Sequence, residues 1–251
     1  MITDRQKDIL WAIIEEHAKE AEPVSSKTLA QKRGFNIGAP MIRKEMNQLE
    51  QGGFLVSPYT SAGRMPTDQA YRLYIQNQLN KSGASGKDVK AVKTGLTHQE
   101  TEKVAKTLKK DWPDEQSLLK EISRLTSKIS KELSITGCIG GTDSYIFGFS
   151  NLVDEPEFSS FDGLNRLMRF MDNADYCFDA LWNKFLYQDL QVFIGDENPI
   201  KEINEFTLIT GKYQLPDGDD GFISIIGPKR MNYRRNMALV EYIGQVLNRE
   251  A

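Results

Sequence analysis

The chain has 251 residues, 39% of them hydrophobic and 27% charged, with a net charge of −3, the balance of a globular protein of one large domain or two modest ones. No apolar run approaches the length of a membrane span and Met1-Ile-Thr-Asp-Arg5 lacks a signal peptide's apolar core, so no membrane association is expected. Two cysteines, Cys138 and Cys177, and two histidines, His17 and His98, cannot furnish a zinc centre or histidine-based catalysis; buried reduced thiols imply a cytoplasmic setting.

From the N-terminus, apolar residues at Ile9, Leu10, Ile13, Ile14 and Ala18 have helical spacing, with Thr3 as N-cap. Glu22-Pro23 ends that helix. Ser25 or Ser26 caps a short second one through Leu29 to about Arg33, closed by Gly34. A third helix carries Pro40 in its first turn and an inward stripe of Ile42, Met46 and Leu49. Gly52-Gly53 stops it, Phe54-Leu55-Val56 reads as a strand, and a ribbon returns through Arg64 before Thr67 or Asp68 caps a helix bearing Tyr71, Tyr74, Ile75 and Leu79. Three helices, a strand pair and a helix is the order of a winged helix-turn-helix, whose third helix enters the major groove while the ribbon touches phosphates. Opposite that stripe Pro40, Lys44, Asn47 and Gln51 face away, flanked by Arg43 and Gln48, and Lys, Asn, Gln and Arg are side chains suited to base edges. Thr60, Ser61 and Arg64 on the ribbon would meet the DNA backbone. A merely solvated face, or a protein-binding winged helix, would show the same pattern.

Lys81-Ser-Gly-Ala-Ser-Gly86 has a linker's composition. Helical patterns follow over Thr97–Asp111 and Asp114–Leu133; the second aligns Leu118, Leu119, Ile122, Leu125, Ile129 and Leu133 on one stripe, for packing on the rest of the chain or against a second subunit. Strands are expected at Tyr145–Phe149, Gln191–Ile194, Phe206–Gln214 and Gly221–Ile226. Helices are expected at Phe161–Met171, Ala174–Phe185 and Tyr233–Asn248. Asp217-Gly-Asp-Asp220 reads as a hairpin turn, since it lacks the later bidentate glutamate of a calcium loop. Thr210-Gly-Lys212 lacks the rest of a phosphate-binding loop. No catalytic, cofactor-binding or metal-binding constellation is found, so an enzyme is not expected. Charge is uneven: residues 1–80 hold ten Lys/Arg against nine Asp/Glu, residues 81–133 twelve against eight, and residues 134–251 ten against eighteen. A mildly basic front on an acidic back suits a nucleic-acid head on a body that does not bind DNA.

Three early strings, Glu22-Pro-Val-Ser-Ser-Lys-Thr-Leu29, Ile42-Arg-Lys-Glu-Met46 and Thr60-Ser-Ala-Gly-Arg-Met-Pro-Thr67, closely resemble the heat-inducible transcription repressor HrcA family. Gly148-Phe-Ser-Asn-Leu152 with Pro156-Glu-Phe158, Ile194-Gly-Asp-Glu-Asn198 and Ile226-Gly-Pro-Lys-Arg-Met-Asn-Tyr233 resemble that family's GAF-like domain. The resemblance implies an α+β protein: a winged helix-turn-helix over residues 1–79, a linker and helical connector over 80–135, and an abbreviated GAF-like α/β domain over 136–251. It further implies a stress-responsive repressor, not an enzyme and without a cofactor. The partners implied are a double-stranded inverted-repeat (CIRCE-type) operator of chaperone genes, a second copy in a homodimer, and a GroEL-type chaperonin. The alternative is a winged-helix regulator whose GAF-like domain senses a small molecule or a partner protein. Two departures stand out. Gly38, Ala39, Pro40 and Met41 occupy positions where the family has small hydroxyl residues and Thr. After Leu133-Ser-Ile-Thr-Gly137 the chain reaches Tyr145 within a few residues, where the family has more sheet and an inserted dimerisation domain.

Overall fold

The computed structural model describes residues 2–32, 35–59, 62–82, 95–141, 144–158, 161–174, 177–178, 181, 190–215 and 218–248. Two compact units divide the chain, Met1–Asn80 and Lys81–Ala251. Most of the linker-like stretch, like Thr60 and Ser61, lies outside the described residues.

In the first unit, α1 (Asp4–Glu20) opens on a reciprocal capping box. The Thr3 hydroxyl accepts from the Gln6 backbone N–H, and the Gln6 side-chain oxygen accepts from the Thr3 N–H, so two otherwise open donors are satisfied. Ile9, Leu10, Ile13 and Ile14 of α1 share a core with Leu29 of α2 (Ser26–Lys32), with Ile42, Met46 and Leu49 of α3 (Ala39–Gln51), and with Ala70, Tyr71, Tyr74 and Ile75 of α4 (Asp68–Ser82). Each fully buried aliphatic side chain there is worth about 1.5–3 kcal/mol. His17 lies buried in this core, its Nδ1 at 2.8 Å from the Tyr71 hydroxyl.

The ribbon pairs β1 (Leu55–Val56) with β2 (Met65–Pro66), Leu55 opposite Pro66 and Val56 opposite Met65. Its return arm is also bridged to the α1–α2 connection. Val24 N–H donates to the Arg64 carbonyl at 2.9 Å, and Arg64 N–H donates to the Val24 carbonyl at 2.8 Å. Gly63 permits that approach: a Cβ there would sit 2.5 Å from the Val24 carbonyl and 2.6 Å from the Pro23 oxygen. The Thr67 hydroxyl closes the ribbon's base by donating to the Gly53 carbonyl at 2.7 Å.

The second unit is a mixed helix–sheet domain, which makes the chain α+β. Its five strands are all antiparallel: β3 (Leu133–Cys138), β4 (Ser144–Phe147), β5 (Leu190–Ile194), β6 (Phe206–Gln214) and β7 (Asp220–Pro228), in the order β4-β3-β7-β6-β5. Two helices follow β4, α7 (Phe149–Val153) and α8 (Phe161–Asp172). One face of the sheet presents Leu133, Ile135, Phe206, Leu208, Phe222 and Ile226 to Leu152 of α7, Leu167 and Phe170 of α8, and Phe178. Phe178 stacks on Phe222 with centroids 4.9 Å apart. The opposite face is covered by the helix before the sheet, α6 (Glu115–Ser130), and the one after it, α9 (Tyr233–Leu247). Thr136 donates to the Leu119 carbonyl at 2.8 Å, and the Thr207 and Tyr233 hydroxyls lie 2.9 Å apart. The preceding helix, α5 (His98–Leu108), packs on α9.

Of the two roles open to the α6 stripe, packing within the chain is the one seen: Leu118, Leu119, Ile122, Leu125 and Ile129 are buried within the single chain, Leu125 at 3% exposure. One reading of the sequence needs correction. The thiols expected to be buried are only partly so: Cys138 and Cys177 are half-buried and form no disulfide among the described residues. Asp217 lies outside the described residues; around it β6 and β7 pair as an antiparallel hairpin, with Gly218 at φ +96° and its N–H donating to the Leu215 carbonyl at 2.9 Å.

Candidate nucleic-acid interface

Helix α3 begins at Gly38, with Pro40 in its first turn, where a missing N–H breaks no helical hydrogen bond. A residue advances about 100° around a helix, so burying Ile42, Glu45, Met46 and Leu49 turns Arg43, Lys44, Asn47, Gln48 and Gln51 outward. All five are exposed. Among the described residues Arg43 and Lys44 form no ion pair or hydrogen bond, leaving two cations and their donors open to a ligand. Met41 is exposed beside them at 42%.

Asn47 and Gln48 are not free in the same way. The Asn47 side-chain oxygen accepts from Arg64 Nη2 at 3.1 Å, and the Gln48 oxygen accepts from Gln6 Nε2 at 2.9 Å. Gln6 Nε2 also donates to the Glu45 carboxylate at 3.0 Å, and that buried carboxylate pairs with Arg5 at 2.6 Å. Asn47 and Gln48 are therefore each held through the side-chain oxygen.

Arg64, expected as a phosphate contact, lies just before β2 with its guanidinium folded inward. Its Nε donates to Glu50 Oε2 at 3.0 Å and its Nη2 lies 2.9 Å from the same oxygen. Nη1 reaches the Ser57 hydroxyl at 3.3 Å and the Ala62 carbonyl at 3.3 Å. The side chain is only 19% exposed. The structure thus brings Arg43, Lys44, Asn47 and Gln48 onto one face, with Arg64 behind its far end. Thr60 and Ser61 lie outside the described residues. The sequence reading passed over Val56 and Tyr59, which stand out from the ribbon at 47% and 64% exposure. The only signal for them was the absence of an apolar partner at helical or strand spacing.

Residues 1–80 match the model of the winged helix-turn-helix transcription repressor, HrcA DNA-binding domain, and residues 75–237 match that of the HrcA protein C-terminal domain. The chain belongs to the HrcA family. Heat-inducible transcription repressors HrcA of Thermodesulfovibrio yellowstonii and Geobacter sulfurreducens are each 25% identical to it, covering 99% of this chain and 98% of theirs. That of Ruminiclostridium cellulolyticum is 26% identical, covering 100% of this chain and 97% of its own. A crystal structure of a hypothetical protein shares the fold, with a TM-score of 0.77 at 18% identity over 100% of this chain and 98% of that one.

Relative to its HrcA relatives the chain is internally shortened. The first of those alignments runs over 340 positions against 251 residues here, so at least 89 of them (340 − 251) face gaps. Strands β3 and β4, consecutive in the chain, pair antiparallel, Ser134 with Phe147 and Gly137 with Ser144. Within the second unit, side chains from distant stretches of the chain meet. Arg230 donates to Glu157 at 2.8 Å and pairs with Glu155, while Asn151 donates to the Glu132 carbonyl at 3.3 Å and to the Ser127 hydroxyl at 3.1 Å. No helix among the described residues is long and apolar enough to cross a membrane, and no group of three metal-ligating side chains is found among them.

Proposed function

We propose that this HrcA-family repressor binds a CIRCE-type inverted repeat in double-stranded DNA as a homodimer, in the cytoplasm, and so holds chaperone genes off until heat releases it. A GroEL-type chaperonin is its proposed folding partner, and no catalysis is part of the role. Arg43, Lys44, Asn47 and Gln48 face the major groove, while Thr60, Ser61 and Arg64 belong to the ribbon that runs beside the sugar–phosphate backbone. The observation that carries this reading is the outward face of α3, where Arg43 and Lys44 stand exposed and unpaired on the element that a winged helix lays in the groove. The test is fluorescence anisotropy of the full chain on a duplex holding the inverted repeat and on a scrambled duplex. Specific affinity should exceed the scrambled value by on the order of a thousandfold or more, and should fall steeply with salt. Equal affinity for the two duplexes would refute it.

A further inference from the structure

We infer that Met41 is a specificity-determining residue of the DNA-reading helix, its exposed side chain packing on the 5-methyl group of a thymine in the major groove. The inference rests on the DNA-binding role proposed above and adds a base preference to it.

Singly exposed apolar side chains are ordinary on a protein surface. What sets Met41 apart is its place. Among the described residues five large hydrophobic side chains are exposed, and three of these, Met41, Val56 and Tyr59, lie on α3 and the ribbon. Val56 and Tyr59 belong to the ribbon, which a winged helix lays along the backbone. Of the three only Met41 stands on the helix that enters the groove, and it lies in the first turn, whose residues are the ones that meet base edges.

That turn has little to offer a base by hydrogen bonding. Gly38, Ala39, Pro40 and Met41 carry no side-chain donor, and a thioether is at most a weak acceptor. The backbone N–H groups of Met41 and Ile42 are already given to the Gly38 carbonyl, at 3.0 and 3.1 Å. Gly38 and Pro40 are exposed with Met41, and Ala39 is half-buried. Beyond its chain neighbours, a Cβ built on Gly38 would meet only Pro40 Cδ, at 3.6 Å, so the approach to the turn is open. What remains is apolar contact, and the one methyl group on the major-groove edges of the four bases is that of thymine. Lys44, three residues on, shares the side of the helix that carries Met41 and is exposed like it. Thymine sets its O4 acceptor beside its methyl, so an apolar side chain and a donor are served together. Cytosine presents an amino donor and no methyl there, and serves neither.

The test measures anisotropy of the full-length chain on the tightest duplex that the wild type recovers from a random pool. Each thymine in turn is replaced by deoxyuridine, which removes the methyl and changes no hydrogen-bonding group. Wild-type affinity should fall about fourfold at one or more positions, the effect of losing one buried methyl group. Met41→Gln, of similar length with a polar end, should abolish at least one of those losses, and Met41→Leu should keep them all. If every loss persists in Met41→Gln, the methyl groups act through other side chains or through the shape of the DNA, and the inference is overturned. A preferred duplex without any deoxyuridine-sensitive thymine overturns it without recourse to a variant. Losses abolished in Met41→Leu as well would mark a disturbed helix start, not an apolar contact, and would overturn it too. A wild-type chain that recovers no preferred duplex would instead sink the DNA-reading proposal itself.

Discussion

Glu132 is a carboxylic acid in a place that favours its neutral form. Burial pushes its pKa well above the usual carboxylate value, and the nearby Glu155 and Glu157 push the same way while the Arg230 guanidinium opposes them. Its Oε2 has no hydrogen-bond partner. A carboxyl with a raised pKa in the folded state binds its proton more tightly folded than unfolded. Its stabilising contribution is therefore complete below about 4.5, the value for a free glutamate, and is lost as pH rises toward the raised value. Glu132→Gln should remove that decline. The melting temperature of the wild type, less that of the variant, is expected to fall as pH is raised from 4.5 to 8 at constant ionic strength. A difference independent of pH would mean that Glu132 is charged in the folded protein. On the DNA face, Lys44→Ala should cost about 1–3 kcal/mol on the preferred duplex and much less on random DNA; an equal loss on both, by anisotropy, would make Lys44 a phosphate contact. Lys44 and Arg43 were legible because helical spacing alone turns them outward. The occupation of Arg64 was not, since its partners Glu50 and Asn47 lie 14 and 17 residues away, and no local pattern links a ribbon to the end of a helix.

Among the elements, α1, α3 and α4 could be read almost to the residue, because each carries its own start signal and one apolar stripe. Strand β3 escaped. Leu133 continues the spacing of Leu125 and Ile129, so the pattern runs on where the backbone does not; the helix stops at Lys131, a non-glycine residue in the left-handed region at φ +67°. Helix α7 is too short for a stripe. The ribbon that returns through Arg64 reads in sequence as a backbone contact, and its Gly63 proves to be a packing requirement. Gly63→Ala would drive a methyl group into the Val24 carbonyl, forcing the ribbon off the α1–α2 connection at a cost of about 1–3 kcal/mol, the usual penalty for overpacking. Thermal unfolding of residues 1–82 should report that loss. No change in the melting temperature would mean that the Val24–Arg64 bridge does not hold in solution. In the second unit Leu125→Ala should cost about 2–5 kcal/mol, as a buried leucine does, and by calorimetry the loss should appear at any protein concentration. A loss that vanishes on dilution would return α6 to the role of a subunit interface.

At the scale of the whole molecule, the shortened chain has to reconcile two demands. An inverted repeat presents two half-sites about one helical turn or a multiple of it apart, roughly 34–36 Å or more, and one winged helix can occupy only one of them. Yet the α6 stripe is consumed by the fold of a single chain. If the proposed homodimer forms, it does so through another surface, and the way to detect it is functional. Linking two heads raises the effective concentration of the second to the order of millimolar, which multiplies affinity for a full repeat by on the order of a hundredfold or more over a half repeat. The full chain should therefore prefer the full repeat by that margin and scatter light as about twice 28.5 kDa. The fragment 1–82, which contains the complete first unit, should fold, bind either duplex with comparable affinity and remain monomeric. Should the full chain, like the fragment, fail to distinguish a full from a half repeat, the homodimer would be excluded, and the protein would act as a single head that borrows its second contact from another partner.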